Sequence, residues 1–143
     1  MAVEVLVLKE AAQGERRVAA TPETVKKLVA AGARIQVERG AGLGAGITDQ
    51  AYVDAGAVPA AEGARGAADL VLCVQAPAPD AIGALKPGAT VVGVLHPQAD
   101  AARAEALQAR GIRAFPLERL PRTTRAQAMD VLSSQAGMAG YKA

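Results

Sequence analysis

The feature that most constrains this chain is the alternation of short apolar runs with longer segments that carry helix signals. Five apolar runs cover residues 3–8, 34–38, 70–74, 90–95 and 112–115. Short continuous runs of this kind are typical of strands that are buried on both faces of a sheet. Strands that alternate with helices pair in parallel, with right-handed crossovers. The pattern therefore predicts an α/β fold, a three-layer arrangement with a parallel sheet, Rossmann-like or flavodoxin-like.

Two helical segments carry clear start and stop signals. Residues 21–31 and 99–110 each begin near a side chain that can cap a helix, and a glycine follows each segment. The cap and the glycine are Thr21 and Gly32 for the first helix, and Asp100 and Gly111 for the second. Residues 49–55 and 78–85 show weaker helical patterns. These segments supply the crossovers that a parallel sheet requires.

Composition and charge exclude several classes of protein. Hydrophobic residues make up 51% of the chain, too many for a disordered segment, and aromatic residues only 2%, so the core must be aliphatic. The net charge is +2 with both signs interspersed, which argues against nucleic-acid binding. The single cysteine, Cys73, stands in an apolar run and is interpreted as a small buried side chain. With no internal disulfide, signal peptide or membrane-spanning run, we expect a soluble cytoplasmic domain.

The run RIQVERGAGLGAGITD, residues 34–49, raises the question of a dinucleotide-binding loop. Gly40, Gly42 and Ala45 satisfy the loose form of the G-x-G-x-x-G/A fingerprint, which requires a helix immediately afterwards. Here Gly46 interrupts the pattern, and an acidic helix start near Asp49 would occupy the place of a phosphate. The expected ribose-binding acid is also not evident. We therefore interpret the run as a connection between strand and helix.

The tail of the chain, which begins with PRTTRAQAMDVLSSQ, concentrates polar residues. Thr124 and Gln127 have the spacing of a capping box, which predicts a helix from near Arg125 toward Tyr141. On such a helix one stripe is polar and another apolar, and the apolar stripe is expected to face the core. The polar stripe holds Gln127, Asp130 and Ser134 with Ser133 beside it, and the apolar stripe holds Met129, Leu132 and Ala136.

A planar amide, a carboxylate and hydroxyl groups on one stripe match a ligand with paired donors and acceptors. A nicotinamide carboxamide and its ribose are such a ligand. The alternative is a solvated helix face with an Arg122–Asp130 ion pair, which contributes about 0–1 kcal/mol. Spacing alone leaves both interpretations open.

Three stretches of the chain resemble the NAD(H)-binding component of proton-translocating nicotinamide nucleotide transhydrogenase. They are the opening ERRVAATPETVKKLVAAGARIQVERGAG, the middle ADLVLCVQAP and the tail RAQAMDVLSSQA. The opening is shared with alanine dehydrogenase, whereas the tail is specific to the transhydrogenase. The resemblance implies that residues 1–120 form the first α/β subdomain, and that residues 121–143 form a nicotinamide-contacting loop and the start of a connecting helix. It also implies that the glycine-rich cofactor loop belongs to a second subdomain, before which this chain ends.

The resemblance carries site residues and partners with it. It implies that Arg122 and Asp130 contact the nicotinamide end of NAD(H), that Gln127 aligns hydride transfer, and that Ser133 binds the carboxamide or ribose. NADP(H) would lie on a partner component, and a membrane-spanning subunit would couple hydride transfer to proton movement. We expect a homodimer that is peripheral at the inner face of the cell membrane. This fragment alone is expected to be inactive.

Two alternatives of different kinds stay open. An alanine dehydrogenase would hold its substrate with an arginine and a histidine, matched here by Arg17 and His96, and with a lysine whose position is Gln75. Glutamine cannot carry that charge, which weakens this alternative. His96 in a turn is also interpreted as an ordinary hydrogen-bonding residue. The second alternative is a non-catalytic assembly module, and no ligand cluster for a metal is evident in either case.

Overall fold

The computed structural model describes residues 2–143, so Met1, the first residue of the predicted subdomain, lies outside the described residues. The strands of the described chain form a six-stranded, all-parallel sheet in the order β3-β2-β1-β4-β5-β6. They are β1 (Glu4–Val7), β2 (Arg34–Val37), β3 (Val58–Pro59), β4 (Leu70–Gln75), β5 (Thr90–Val94) and β6 (Arg113–Pro116). The predicted α/β fold with a parallel sheet is confirmed.

The helices of the described chain connect these strands. They are α1 (Pro22–Ala30), α2 (Asp49–Asp54), α3 (Ala64–Ala67), α4 (Pro79–Gly83), α5 (Ala101–Ala109) and α6 (Val131–Lys142), with 3₁₀ turns at Leu43–Ala45, Leu117–Arg119 and Gln127–Met129. Thr21 caps α1 and Asp100 caps α5, each through its side chain, as predicted. No helix among residues 2–143 has the length and apolar character that crossing a bilayer demands. The sequence patterns did not indicate β3 or α3.

The core lies on both faces of the sheet. Alternate residues of β1 point to opposite faces, so Val5 and Val7 join one buried cluster and Leu6 and Leu8 the other. The first cluster also contains Val25, Ile35, Val37 and Tyr52, and the second Val71, Leu85, Val91 and Leu95. Full burial of one such side chain stabilises the fold by about 1.5–3 kcal/mol. The residues from 2 to 120 are called the body below.

The tail, residues 121–143, differs from its prediction at its start. The helix α6 begins at Val131, and residues 127–129 form a 3₁₀ turn. The side chain that caps it is Asp130, so the capping box of Thr124 and Gln127 is wrong. A carboxylate that accepts from both the amide and the hydroxyl of Ser133 is the stronger cap.

The predicted inward-facing stripe of the tail is also wrong. Met129 is 53% exposed and Leu132 63% exposed, and no residue of α6 is buried. The helix lies against the 3₁₀ turn Leu117–Arg119 at the edge of the molecule, which leaves most of its surface uncovered by residues 2–143.

Candidate functional site

The residues predicted to meet the nicotinamide lie together. A cleft of about 350 Å³ is lined by Arg122, Gln127, Asp130 and Ser133, with the 3₁₀ turn Leu117–Arg119 on its other side. Ser134 does not line this cleft, because its hydroxyl donates to the Val131 carbonyl oxygen at 3.3 Å. The predicted stripe thus loses Ser134 and keeps the other members.

Asp130 is the centre of this cluster. Its Oδ1 accepts from the Ser133 amide at 3.1 Å and its Oδ2 from the Ser133 hydroxyl at 2.7 Å. The Nη2 atom of Arg122 lies 3.9 Å from Asp130 Oδ2. The Ser133 hydroxyl first, and the Arg122 charge among the smaller causes, hold the pKa of the Asp130 carboxyl below its usual range. The carboxylate is therefore ionised at neutral pH and acts as a hydrogen-bond acceptor.

Gln127 projects from the 3₁₀ turn and is exposed. Its side chain makes no hydrogen bond within residues 2–143, whereas Asp130 and Ser133 bond to each other. An amide in this position offers one acceptor and two donor hydrogens to a molecule that approaches from outside. Arg122, with a side chain that is 72% exposed, adds a charged donor at the same rim.

The donors and acceptors of the cleft fit a carboxamide and a sugar. A nicotinamide carboxamide has an NH₂ group that needs acceptors and a carbonyl that needs a donor. Asp130 and the Ser133 oxygen supply acceptors, while Arg122 supplies a donor. The ion pair between Arg122 and Asp130 is present as well, but at this exposure it contributes only about 0–1 kcal/mol.

A larger cleft of about 650 Å³ lies beside the first, at the carboxyl ends of β4 and β5. It brings together Arg17, Gln75 and His96, the positions that a substrate-binding dehydrogenase would use, and Gln135 of α6. Ligands of parallel α/β sheets bind at this edge. The location is therefore suitable for a ligand, and its chemistry depends on how these side chains are engaged.

The charge of Arg17 is already paired. Its Nε and Nη2 atoms donate to the two oxygens of Glu15 at 2.8 and 2.7 Å. The Gln75 Nε2 atom donates to the same carboxylate at 2.9 Å. The hydrogen bond from Arg17 is the main reason that the pKa of Glu15 falls to about 2. An incoming carboxylate at this place would meet a cation that Glu15 has neutralised.

His96 occupies a strained turn. Its backbone φ is 39°, in the left-handed region that non-glycine residues rarely adopt. The backbone amide of His96 donates to Glu118 at 2.7 Å, and the Leu95 amide donates to the same carboxylate at 3.2 Å. The interpretation of His96 as a hydrogen-bonding turn residue agrees with this geometry.

Carboxylates that the sequence patterns did not single out hold this edge of the sheet. Glu10 accepts from the backbone amides of Val74 and Gln75, where β4 has an irregular register, and Glu118 does the same for the end of β5. Burial is the main cause that raises the pKa of Glu10. No local pattern signals these roles, because Glu10 lies 64 residues from its first partner along the chain.

The glycine run is a packed connection between β2 and α2. Asp49 accepts from the Gly40 amide at 2.9 Å, so an acid does occupy the place of a phosphate, as predicted. A Cβ atom on Gly42 would lie 2.8 Å from the Ile47 carbonyl oxygen, and one on Gly44 3.0 Å from the Arg16 carbonyl oxygen. These glycines allow close packing within the fold, a sufficient reason for their presence.

Two further features concern reactive groups. Cys73 is buried as predicted, and desolvation raises the pKa of its thiol to about 12, so it stays protonated at neutral pH. Across residues 2–143, no group of three or more histidine, cysteine, aspartate or glutamate side chains is arranged to hold a metal ion.

Comparison with known proteins agrees with this geometry. The family described as "Alanine dehydrogenase/PNT, N-terminal domain" matches residues 6–139. The first of the two parts of the NAD(P) transhydrogenase alpha subunit of Rhodospirillum rubrum is 43% identical over 148 residues, which cover 99% of this chain and 38% of that protein. The crystal structure of a transhydrogenase from Sinorhizobium meliloti superposes with a TM-score of 0.94 at 42% identity, covering 98% of this chain and 42% of that one.

Alanine dehydrogenase is a relative with lower identity. Alanine dehydrogenase 1 of Staphylococcus aureus is 35% identical over 133 residues, which cover 93% of this chain and 36% of that protein. This chain thus spans less than two fifths of the length of either curated relative. With its described strands and helices matched almost throughout, the chain belongs to the alanine dehydrogenase/PNT N-terminal domain family.

Proposed function

We propose that this chain is part of the NAD(H)-binding component of a proton-translocating NAD(P) transhydrogenase. One observation carries the proposal: Arg122, Gln127, Asp130 and Ser133 line a single cleft. Relatives that bear the name NAD(P) transhydrogenase, at 43% identity and with a TM-score of 0.94, support it. Bound nicotinamide nucleotides supply the chemistry, a direct hydride transfer between NAD(H) here and NADP(H) on a partner component.

In this proposal the side chains of the cleft bind and align rather than exchange protons. Asp130 accepts from the carboxamide NH₂ group, and Arg122 donates to its carbonyl oxygen. Asp130 is ionised and its cap fixes its rotamer, which suits a fixed acceptor. A fixed ring geometry lowers the barrier because the reacting atoms are already close and oriented.

Gln127 and Ser133 have different proposed tasks. Gln127, exposed on the 3₁₀ turn with an amide that no residue of 2–143 engages, contacts the partner component where hydride crosses. The Ser133 oxygen donates its hydrogen to Asp130 and keeps lone pairs for a ribose hydroxyl or the carboxamide NH₂ group.

The remaining aspects of the proposal concern assembly. Residues 1–120 act as the first subdomain, and residues 121–143 as the nicotinamide-contacting loop with the start of a connecting helix. A membrane-spanning subunit couples hydride transfer to proton movement, which makes this component peripheral at the inner face of the membrane and part of a homodimer. The exposed apolar residues of α6, such as Leu132 and Met138, give such contacts a surface.

A hydride-transfer assay tests the proposal. Membranes that contain the complete protein with its partner subunits should reduce an NAD⁺ analogue at the expense of NADPH, without consuming an amino acid. Substitution of Gln127 should remove most of this activity. No transfer by the assembled complex would overturn the proposal, and so would transfer that is independent of Gln127 and Asp130.

An amino-acid dehydrogenase is the second candidate, because Arg17, Gln75 and His96 share one cleft. The same protein is then supplied with NAD⁺ and L-alanine. Because Glu15 neutralises Arg17 and Gln75 carries no charge, we expect no alanine-dependent formation of NADH. Alanine oxidation without transfer from NADPH would favour this candidate, and neither activity would favour an assembly module.

A further inference from the structure

A chain of polar contacts runs from the sheet to α6 through Arg17. While Nε and Nη2 of Arg17 donate to Glu15, its Nη1 atom donates to Gln135 Oε1 at 2.8 Å. Gln135 lies in the second turn of α6, 118 residues away along the chain. Among residues 2–143 this is the one side-chain hydrogen bond that joins α6 to the body.

The body holds Arg17 in a fixed direction. The Glu15 side chain is only 7% exposed, and Gln75 anchors it to the end of β4. The Gln75 amide is itself held at 3.0 Å by Glu10. A guanidinium that donates two parallel hydrogen bonds to one carboxylate has little rotational freedom left. Its third donor group therefore points to a defined place above the sheet, where Gln135 meets it.

The helix α6 has few other constraints within the described chain. None of its residues is buried, so apolar packing gives it little support. Its N-terminus is Asp130, five positions before Gln135, which is about 7.5 Å along a helix axis. A helix moves as a rigid rod over so short a distance, so a shift at Gln135 displaces Asp130 and Ser133 as well.

We propose that Arg17 is a positioning residue that sets α6, through Gln135, in the place where Asp130, Ser133 and Gln127 can align a nicotinamide. This inference rests on the proposed transhydrogenase function for its catalytic readout. Arg17 lines the larger cleft and not the smaller one, so it acts through the helix without touching the carboxamide. Glu15 and Gln75 make this role possible by fixing the guanidinium.

The test uses the complete protein with its partner subunits and starts from Gln135→Leu. This change leaves Glu15, Arg17 and Gln75 paired, so the body keeps its fold. We expect a single-turnover hydride-transfer rate about tenfold lower, because small misplacements weigh heavily on transfer, with an NADH dissociation constant changed less than about twofold. Amide hydrogen exchange at Ser133 and Ser134 should become about fivefold faster, since one hydrogen bond to a charged group is lost.

Rescue and control variants separate positioning from other effects. Gln135→Glu keeps an acceptor for Arg17 and should restore both the transfer rate and the exchange rates. Gln108→Leu makes the same change on the exposed face of α5 and should alter neither. The double variant of Arg17→Met with Gln135→Leu should lose no more transfer than Arg17→Met alone, because both remove the same link.

Three results would overturn the role of Arg17: unchanged transfer in Gln135→Leu, equal loss in Gln135→Leu and Gln135→Glu, or additive losses in the double variant. The exchange measurement needs no hydride transfer. A complex that transfers no hydride at all refutes the proposed function, and the exchange rates at Ser133 and Ser134 then still decide whether Arg17 holds α6.

Discussion

The body buries apolar side chains on both faces of its sheet, whereas Ala126 is the one buried residue of the tail. The body thus draws its stability from hydrophobic packing, and its shape is insensitive to any one surface contact. The tail holds the nicotinamide residues and depends on a helix cap, a 3₁₀ turn and the Arg17–Gln135 bond. Residues that align a cofactor can therefore change with little effect on folding. Four predictions break or sharpen this contrast.

The largest effect should come from one leucine deleted in each region. Leu85 is fully buried, so Leu85→Ala should lower the free energy of unfolding by about 2–5 kcal/mol, through lost burial and a cavity. Leu132 in the tail is 63% exposed, and Leu132→Ala should change it by no more than about 0.5 kcal/mol. Urea denaturation measures both. Equal losses in the two variants would show that the tail packs as tightly as the body.

Gln127→Asn should separate rate from binding. Shortening the side chain by one methylene group keeps the amide but moves it, so hydride transfer should slow by about 10–100-fold. The NADH dissociation constant should change by less than about twofold, because ground-state binding does not need that alignment. Stopped-flow transfer and NADH titration on the complete protein give the two numbers. The matched control, Gln108→Asn on α5, should change neither, and an equal loss of rate and binding would give Gln127 an ordinary binding role.

Two aspartate caps allow a direct comparison of the regions. Asp100 caps α5 in the body and Asp130 caps α6 in the tail, each through an amide three residues on. Loss of a cap costs about 0.5–2 kcal/mol. Asp100→Ala should lower the global free energy of unfolding by this amount, because α5 unfolds with the body.

Asp130→Ala should act only locally. We expect faster amide hydrogen exchange in α6 and weaker NADH binding, with an unchanged midpoint of urea denaturation. The comparison fails if Asp130→Ala shifts that midpoint as far as Asp100→Ala does.

Local signals predicted the body well and the tail less well, for a physical reason. Strands and helices with continuous apolar runs or clear caps were found within two residues of their observed ends, as for α1 and β4. The strand β3 was missed because it has two exposed residues, one of them Pro59, and α3 because it has a single turn that starts after Gly63 in the left-handed conformation. Elements this short carry no periodicity to detect.

The site shows the same division. Resemblance named Arg122, Gln127, Asp130 and Ser133, and the fold does bring them to one cleft. The helix start was misplaced because Thr124 and Asp130 both look like caps, and sequence spacing does not reveal which carboxylate or hydroxyl wins. The links of Glu15 to Gln75 and of Arg17 to Gln135 join residues 60 and 118 positions apart, so no local pattern could have indicated them.

The smallest expected effect is a pH dependence of the Glu15–Arg17 pair, which connects the two regions. The pKa of Glu15 is about 2 in the folded protein and 4.5 in the unfolded reference, so folding favours the ionised form. Stability from this pair is therefore present above about pH 4.5 and is lost as the pH falls toward about 2. Because Arg17 is 47% exposed, solvent screening limits the contribution to about 0.2–1 kcal/mol. Urea denaturation of wild-type protein and Glu15→Gln from pH 6 to pH 3 should show a difference that shrinks as the pH falls. A difference that grows toward low pH would mean that Glu15 is protonated in the fold and does not hold Arg17 through its charge.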